Sequence, residues 1–149
     1  MTTVASELQT LLAAAAATVT APVVATVRPG EPDVVNTPTI AYWYTGTKTW
    51  QANTFAATQE LSCWHVRVYG PVGPRFAPVD GGVEGWLEQV VGAVRGQVWG
   101  RYALAGAATG SGSSLSDAAA GWAQVAAQLC RVADMDLEAM QTAVHPITA

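Results

Sequence analysis

Hydrophobic positions recur along this chain with two different periods, and the changes of period mark its elements. Val4, Leu8, Leu11, Leu12, Ala15 and Val19 follow three-to-four spacing, and Ala13 to Ala17 have the best intrinsic helix propensity. That predicts a helix over residues 3–19, ended by Pro22, with a short strand at Val23 to Val27 before the Pro29-Gly30 turn. Residues 31–39 show no clear period and read as an extended crossing. Ile40 to Tyr44 predicts a strand, TGTKT (45–49) a Gly-containing reversal, and QANTFAATQE (51–60) an exposed loop or irregular arm.

The stretch CWHVRVYGPV (63–72) alternates: Trp64, Val66 and Val68 share one parity, while Cys63, His65, Arg67 and Tyr69 share the other. Successive strand side chains point to opposite faces, so Leu61 to Tyr69 reads as a half-buried strand with one mixed face still to be covered. GPVGPRFAPVDGG (70–82) is a connection from sheet to helix, with Asp80 able to cap the next helix. Val83, Trp86, Leu87, Val90, Val91, Val94 and Val98 then form one helical stripe that Gly100 stops. TGSGSSLSD (109–117) is a polar loop. Residues 121–140 fit a helix through Trp122, Val125, Ala126, Leu129 and Ala133. They also fit a strand, because Ala133, Met135, Leu137 and Ala139 alternate with Asp134, Asp136 and Glu138; the strand, over 128–139, is the better fit. A helix with one apolar face must cover something, and the strands are the available partner. The expectation is one α+β domain over residues 1–149, a mostly antiparallel sheet packed against an N-terminal helix and a central amphipathic helix, with a flexible end.

Composition narrows the function classes. Half the residues are hydrophobic and only 12% are charged, about half the usual ~25%, which suits a surface buried against partner subunits. The run Leu11 to Val27 lacks charge, but it is mostly Ala, Thr and Val and is interrupted by Pro22. It falls short of the ~20 strongly apolar residues of a membrane span. Glu7 stands where a signal peptide would be basic, so a soluble, unexported protein is expected. Net charge is −4 and the seven basic residues are scattered singly, which leaves no cluster to neutralise phosphates. Cys63 and Cys130 are the only cysteines, too few for a disulfide framework, and are expected to be reduced and buried.

Candidate chemistry is sparse. Cys63 and His65 resemble a nucleophile and base, but at i and i+2 on a strand they stand side by side, ~7 Å apart along it. A base needs reach of about 3 Å to its nucleophile. His145, the other histidine, precedes Pro146 near the end of the chain. Asp134, Asp136 and Glu138 could suggest hard-cation ligands, yet period-two spacing is more simply a solvated strand face. GSGSS (110–114) lacks the Lys of a phosphate loop. No enzyme, catalytic residue, cofactor or metal site is expected.

The order of parts points further. A helix leads to PTIAYWYTGTKT (38–49), a short arm, ELSCWHVRVYGPVG (60–73), an amphipathic helix and the hydrophobic-acidic close CRVADMDLEAM (130–140). Over residues 1–140 this resembles the tail terminator proteins of long, non-contractile-tailed bacteriophages, particularly those infecting actinobacteria. Six Arg against one Lys suits a GC-rich genome. The resemblance implies a virion protein assembled in the host cytoplasm as a hexameric ring on the head-proximal end of the tail tube. Its partners would be the tail tube protein and the head-tail connector or stopper, with DNA crossing the lumen without sequence recognition and no membrane involved. Thr45 to Thr58 and Thr109 to Asp117 are the expected inter-ring contacts. Two other readings stay open: another connector ring (stopper or head completion), and a small-molecule-binding α+β module whose pocket is lined by Trp43, Trp64 and Trp86.

Overall fold

The computed structural model describes residues 4–52, 57–99 and 113–144. Along the chain these form α1 (Val4–Ala17), β1 (Thr26–Pro29), β2 (Thr39–Ala52), β3 (Ala57–Pro71), α2 (Gly82–Trp99), β4 (Ser113–Leu115), β5 (Ala119–Val125) and β6 (Gln128–Val144), with a 3-10 turn at Pro74–Phe76. The strands make a six-stranded sheet in the order β1-β2-β3-β6, with β4 and β5 both pairing the far side of β6. Only β1 and β2 are parallel; the remaining pairs are antiparallel. The fold is α+β, with the N-terminal and central helices that periodicity predicts.

Both helices cover the same face of the sheet. Ile40, Tyr42, Val66, Val68, Met135 and Leu137, alternate residues on three neighbouring strands, are buried against Leu8, Leu11 and Leu12 of α1 and Trp86, Val90 and Val94 of α2. Each such side chain contributes roughly 1.5–3 kcal/mol relative to exposure. The helix layer comes very close at β3: a Cβ on Gly70 would lie 2.7 Å from Val83 Cγ2 and 3.4 Å from the Trp86 ring. Trp86 is fully buried and its indole N–H donates to the Pro22 carbonyl at 2.9 Å, tying α2 to the turn after α1.

Several local expectations need correction. TGTKT does not reverse the chain, and residues 57–60 are not loop: β2 and β3 continue through them as one long hairpin, whose residues 53–56 lie outside the described residues. Register shifts between Tyr44 and Gly46 and between Thr49 and Gln51 are the reason, because a bulge inserts one residue and breaks the period-two pattern. In the expected loop at 109–117, residues 113–115 form β4, while 109–112 lie outside the described residues. GWAQVAAQLC is neither one helix nor one strand; β5 and β6 meet in a tight turn in which Ala126 has φ 54°. The short first strand begins at Thr26, not Val23, and includes Pro29. Gly81 (φ 80°) and Gly82 (φ 64°) lead into α2, and Asp80 makes no side-chain cap among the described residues; its carbonyl instead lies where a Cβ on Gly85 would be, at 1.9 Å.

The second face of the sheet has a different cover. Val35, on the crossing between β1 and β2, packs on Ala41, Tyr69, Cys130 and Val132, with Trp43, Ala123 and Val125 alongside. Only one end of this face is closed in this way. No helix among the described residues is long and apolar enough to cross a membrane.

Candidate interaction surface

Past the cover supplied by Val35, the mixed face of β3 meets the acidic parity of β6. Pairing sets Arg67 opposite Asp134, His65 opposite Asp136 and Cys63 opposite Glu138. Directly opposed side chains are the units that interact across antiparallel strands. Arg67 donates from Nε to Asp134 Oδ1 at 2.5 Å and from a terminal nitrogen to Oδ2 at 3.3 Å, a two-pronged pair. His65 reaches both carboxylates, with Nε2 2.7 Å from Asp134 Oδ1 and Nδ1 2.9 Å from Asp136 Oδ1. Trp43 on β2 stacks on the His65 ring at 4.8 Å between centroids, and the Arg67 guanidinium lies 5.9 Å from the Trp43 ring. Lys48 closes the row with an ion pair to Glu138 at 3.2 Å.

Burial works against the ionised Asp134 carboxyl, but hydrogen bonds from Arg67 and His65 outweigh it and hold its pKa below the ordinary value. Burial, followed by the Glu138 carboxylate, pushes the Cys63 thiol up, and Lys48 opposes this only in part. The Cys63 thiol sits 3.6 Å from Glu138 Oε2 and 3.6 Å from the Leu61 carbonyl, while His65 holds β6 carboxylates. Asp134 and Asp136 are therefore cross-strand partners of cationic and imidazole groups rather than a simple solvated face. Among the described residues no three of His, Cys, Asp and Glu are arranged to hold a metal ion.

The three tryptophans expected to share a pocket are separated. Trp43 lies on the mixed face, Trp64 on the helix side against Tyr42 and Tyr44, and Trp86 inside the helix-sheet core. A cavity of about 540 Å³ opens where the β2 bulge approaches β4 and β6; of the three tryptophans Trp64 alone lines it, with Lys48, Cys63, Ser114, Asp136 and Glu138. His145 lies outside the described residues.

The sheet's edges are the feature that strand periodicity could not reveal. β1 pairs β2 only from Thr39 to Tyr42, so from Trp43 onward the outer side of β2 has no partner strand among the described residues. β1 is four residues long and carries Arg28 and Pro29, both of which discourage further pairing. β5 has no charge, no Pro and no bulge, and it presents Trp122 at 58% exposure. Arg131 lies over that ring at 4.9 Å and ion-pairs with Glu84 of α2 at 2.7 Å, which puts Trp122 on the helix side. Tyr44, 53% exposed, is on the same side at the opposite edge, 5.3 Å from the Trp64 ring. No family model matches the chain, and no curated protein matches it.

Proposed function

We propose that this chain is a structural subunit of a phage tail, forming a ring on the head-proximal end of the tail tube that stops tube growth and meets the head connector. The observation that carries the reading is the pair of sheet edges that have no partner strand among the described residues, each bearing an exposed aromatic on the helix side, at Trp122 and Tyr44. Unguarded strand edges with exposed aromatics are surfaces that favour contact with another chain. The α+β order of elements supports it as well, since it is the order on which the resemblance to tail terminators rests. A mildly acidic chain of net charge −4 would repel DNA in a lumen rather than hold it, as transit requires. The β2–β3 hairpin and the segment around β4, rather than free loops, are then the elements that reach the adjoining ring.

The work assigned to the protein is done by fit. A ring seated on the last tube layer removes the surface on which the next layer would add. The test is tail length: infection by phage lacking this gene gives tubes of uncontrolled length under this reading. Tails of normal length, detached from heads, would instead assign the chain to a stopper or head-completion ring.

The cavity of about 540 Å³ beside Lys48 and Glu138 favours a second reading, a small-molecule-binding module. It lies in the volume range of ligand sites. A monomer that copurifies with a small molecule would support it.

A further inference from the structure

The two edges of the sheet match each other when the rows of paired residues are followed across it. Tyr44, Trp64, Leu137 and Leu115 form one row running from the β2 edge to the β4 edge. Arg28, Ala41, Arg67, Asp134 and Ala119 form a second, from β1 to β5. Trp122 pairs Arg131, which pairs Gly70, one step beyond the Tyr69–Thr39 pair. That third row meets the chain at Pro38, whose carbonyl accepts from the Ala25 amide at 2.9 Å, two residues from Val23. A second copy placed beside the first, with its rows continuing these and its helices on the same side, would therefore bring two sets of residues together.

Val23 of the second copy would approach Trp122, and its Arg28 would reach Ala119, two residues from Asp117. Each member has a reason to be covered. Val23 and Trp122 are 59% and 58% exposed apolar side chains. Arg28 is exposed and, among the described residues, bonds the carbonyl of its neighbour Pro29, while Asp117 is fully exposed with Arg95 at 3.6 Å. Strand directions agree too: β5 runs antiparallel to β6, β6 to β3, β3 to β2, and β2 parallel to β1, so β5 would lie antiparallel to β1 of the next copy, the contact made by side chains because Arg28 and Pro29 discourage a continuous ladder there.

We propose that copies of this chain associate head-to-tail through these edges, the β4–β5 edge of one against the β1–β2 edge of the next. The contact is heterologous, using two different patches, and such contacts close into rings when the rotation per step allows. Apolar burial at Val23–Trp122 supplies affinity, while Arg28 and Asp117 fix the register. The proposal rests on the ring reading and specifies its subunit interface.

Crosslinking by a short bismaleimide in a Cys63→Ser background tests the geometry, since Cys130 is fully buried. Val23→Cys and Trp122→Cys proteins, mixed, crosslink to each other, and neither crosslinks to itself. Self-crosslinking of Trp122→Cys alone would mean a two-fold contact and overturn the proposal, as would absence of any crosslink from a chain that forms rings. Charge exchange gives an independent reading. Arg28→Glu and Asp117→Arg each lower the ring population at a given concentration by several-fold, and the double variant restores it. Unfolding curves show that each variant keeps the fold. Rings indifferent to all three variants would remove this interface but leave the ring reading standing; wild-type protein that never forms a ring would remove both.

Discussion

Arg67 and Asp134 face each other across β3 and β6 and are joined by two hydrogen bonds, at 2.5 and 3.3 Å. His65 adds a third contact to the same carboxylate, at 2.7 Å. This cluster knits the two long central strands together on the face that the helices do not cover. Its pH dependence comes from the depressed Asp134 pKa. A carboxyl lowered in the folded state contributes stability above its unfolded pKa and loses it as pH falls through the folded value. Asp134→Asn is expected to cost roughly 1–2 kcal/mol at neutral pH. The gap from wild type narrows on acidification below the ordinary carboxylate range. Urea unfolding at a series of pH values checks both the gap and its direction.

Trp86 links three parts of the core: the α2 stripe, the Phe76 ring at 5.1 Å and the Pro22 carbonyl. Trp86→Phe keeps most of the apolar volume but leaves that carbonyl unpaired, for a loss of about 1–3 kcal/mol. Trp86→Ala also opens a cavity, for a loss of about 3–5 kcal/mol. The order of the two unfolding midpoints is the measurement; equal midpoints would mean that the Pro22 bond and the ring's packing do not both matter.

Two glycines are set by close approach. At Gly70 an added methyl meets a side chain, Val83 Cγ2 at 2.7 Å, which can shift. Gly70→Ala is expected to cost about 1–3 kcal/mol. At Gly85 the obstacle is the Asp80 carbonyl at 1.9 Å, which belongs to the backbone, so the turn into α2 must move. Gly85→Ala is therefore expected to be the more damaging, read as the lower midpoint in chemical unfolding.

The Cys63 thiol, pushed up by burial and by Glu138, should react slowly with an alkylating reagent at neutral pH and accelerate only above the ordinary thiol range. Lys48→Ala, which removes an opposing charge, slows it further. Peptide mass mapping of the modified residue separates Cys63 from the buried Cys130.

The helices and central strands could be read from the sequence because each keeps a single unbroken period. Leu8, Leu11 and Leu12 on α1 and Trp86, Val90 and Val94 on α2 are buried at the spacing that predicts them. Trp64, Val66 and Val68 turn inward while His65 and Arg67 turn out. Legibility failed where the period was interrupted. The bulge at Tyr44/Gly46 makes TGTKT look like a reversal, although the strand continues. The β5–β6 turn uses Ala126 at positive φ, where Gly or Asn would have signalled it, so two strands look like one Ala-rich segment. The row matching between opposite edges depends on register between strands far apart in the chain, which alternation alone does not contain.

The central claim is that this chain functions as part of a closed ring, and native mass spectrometry of the purified protein addresses it most directly. The account predicts a single discrete multimer, six copies by the resemblance to tail terminators, which Trp122→Lys converts to folded monomer. A wild-type chain that stays monomeric at every concentration reached, and retains a bound small molecule, would contradict it.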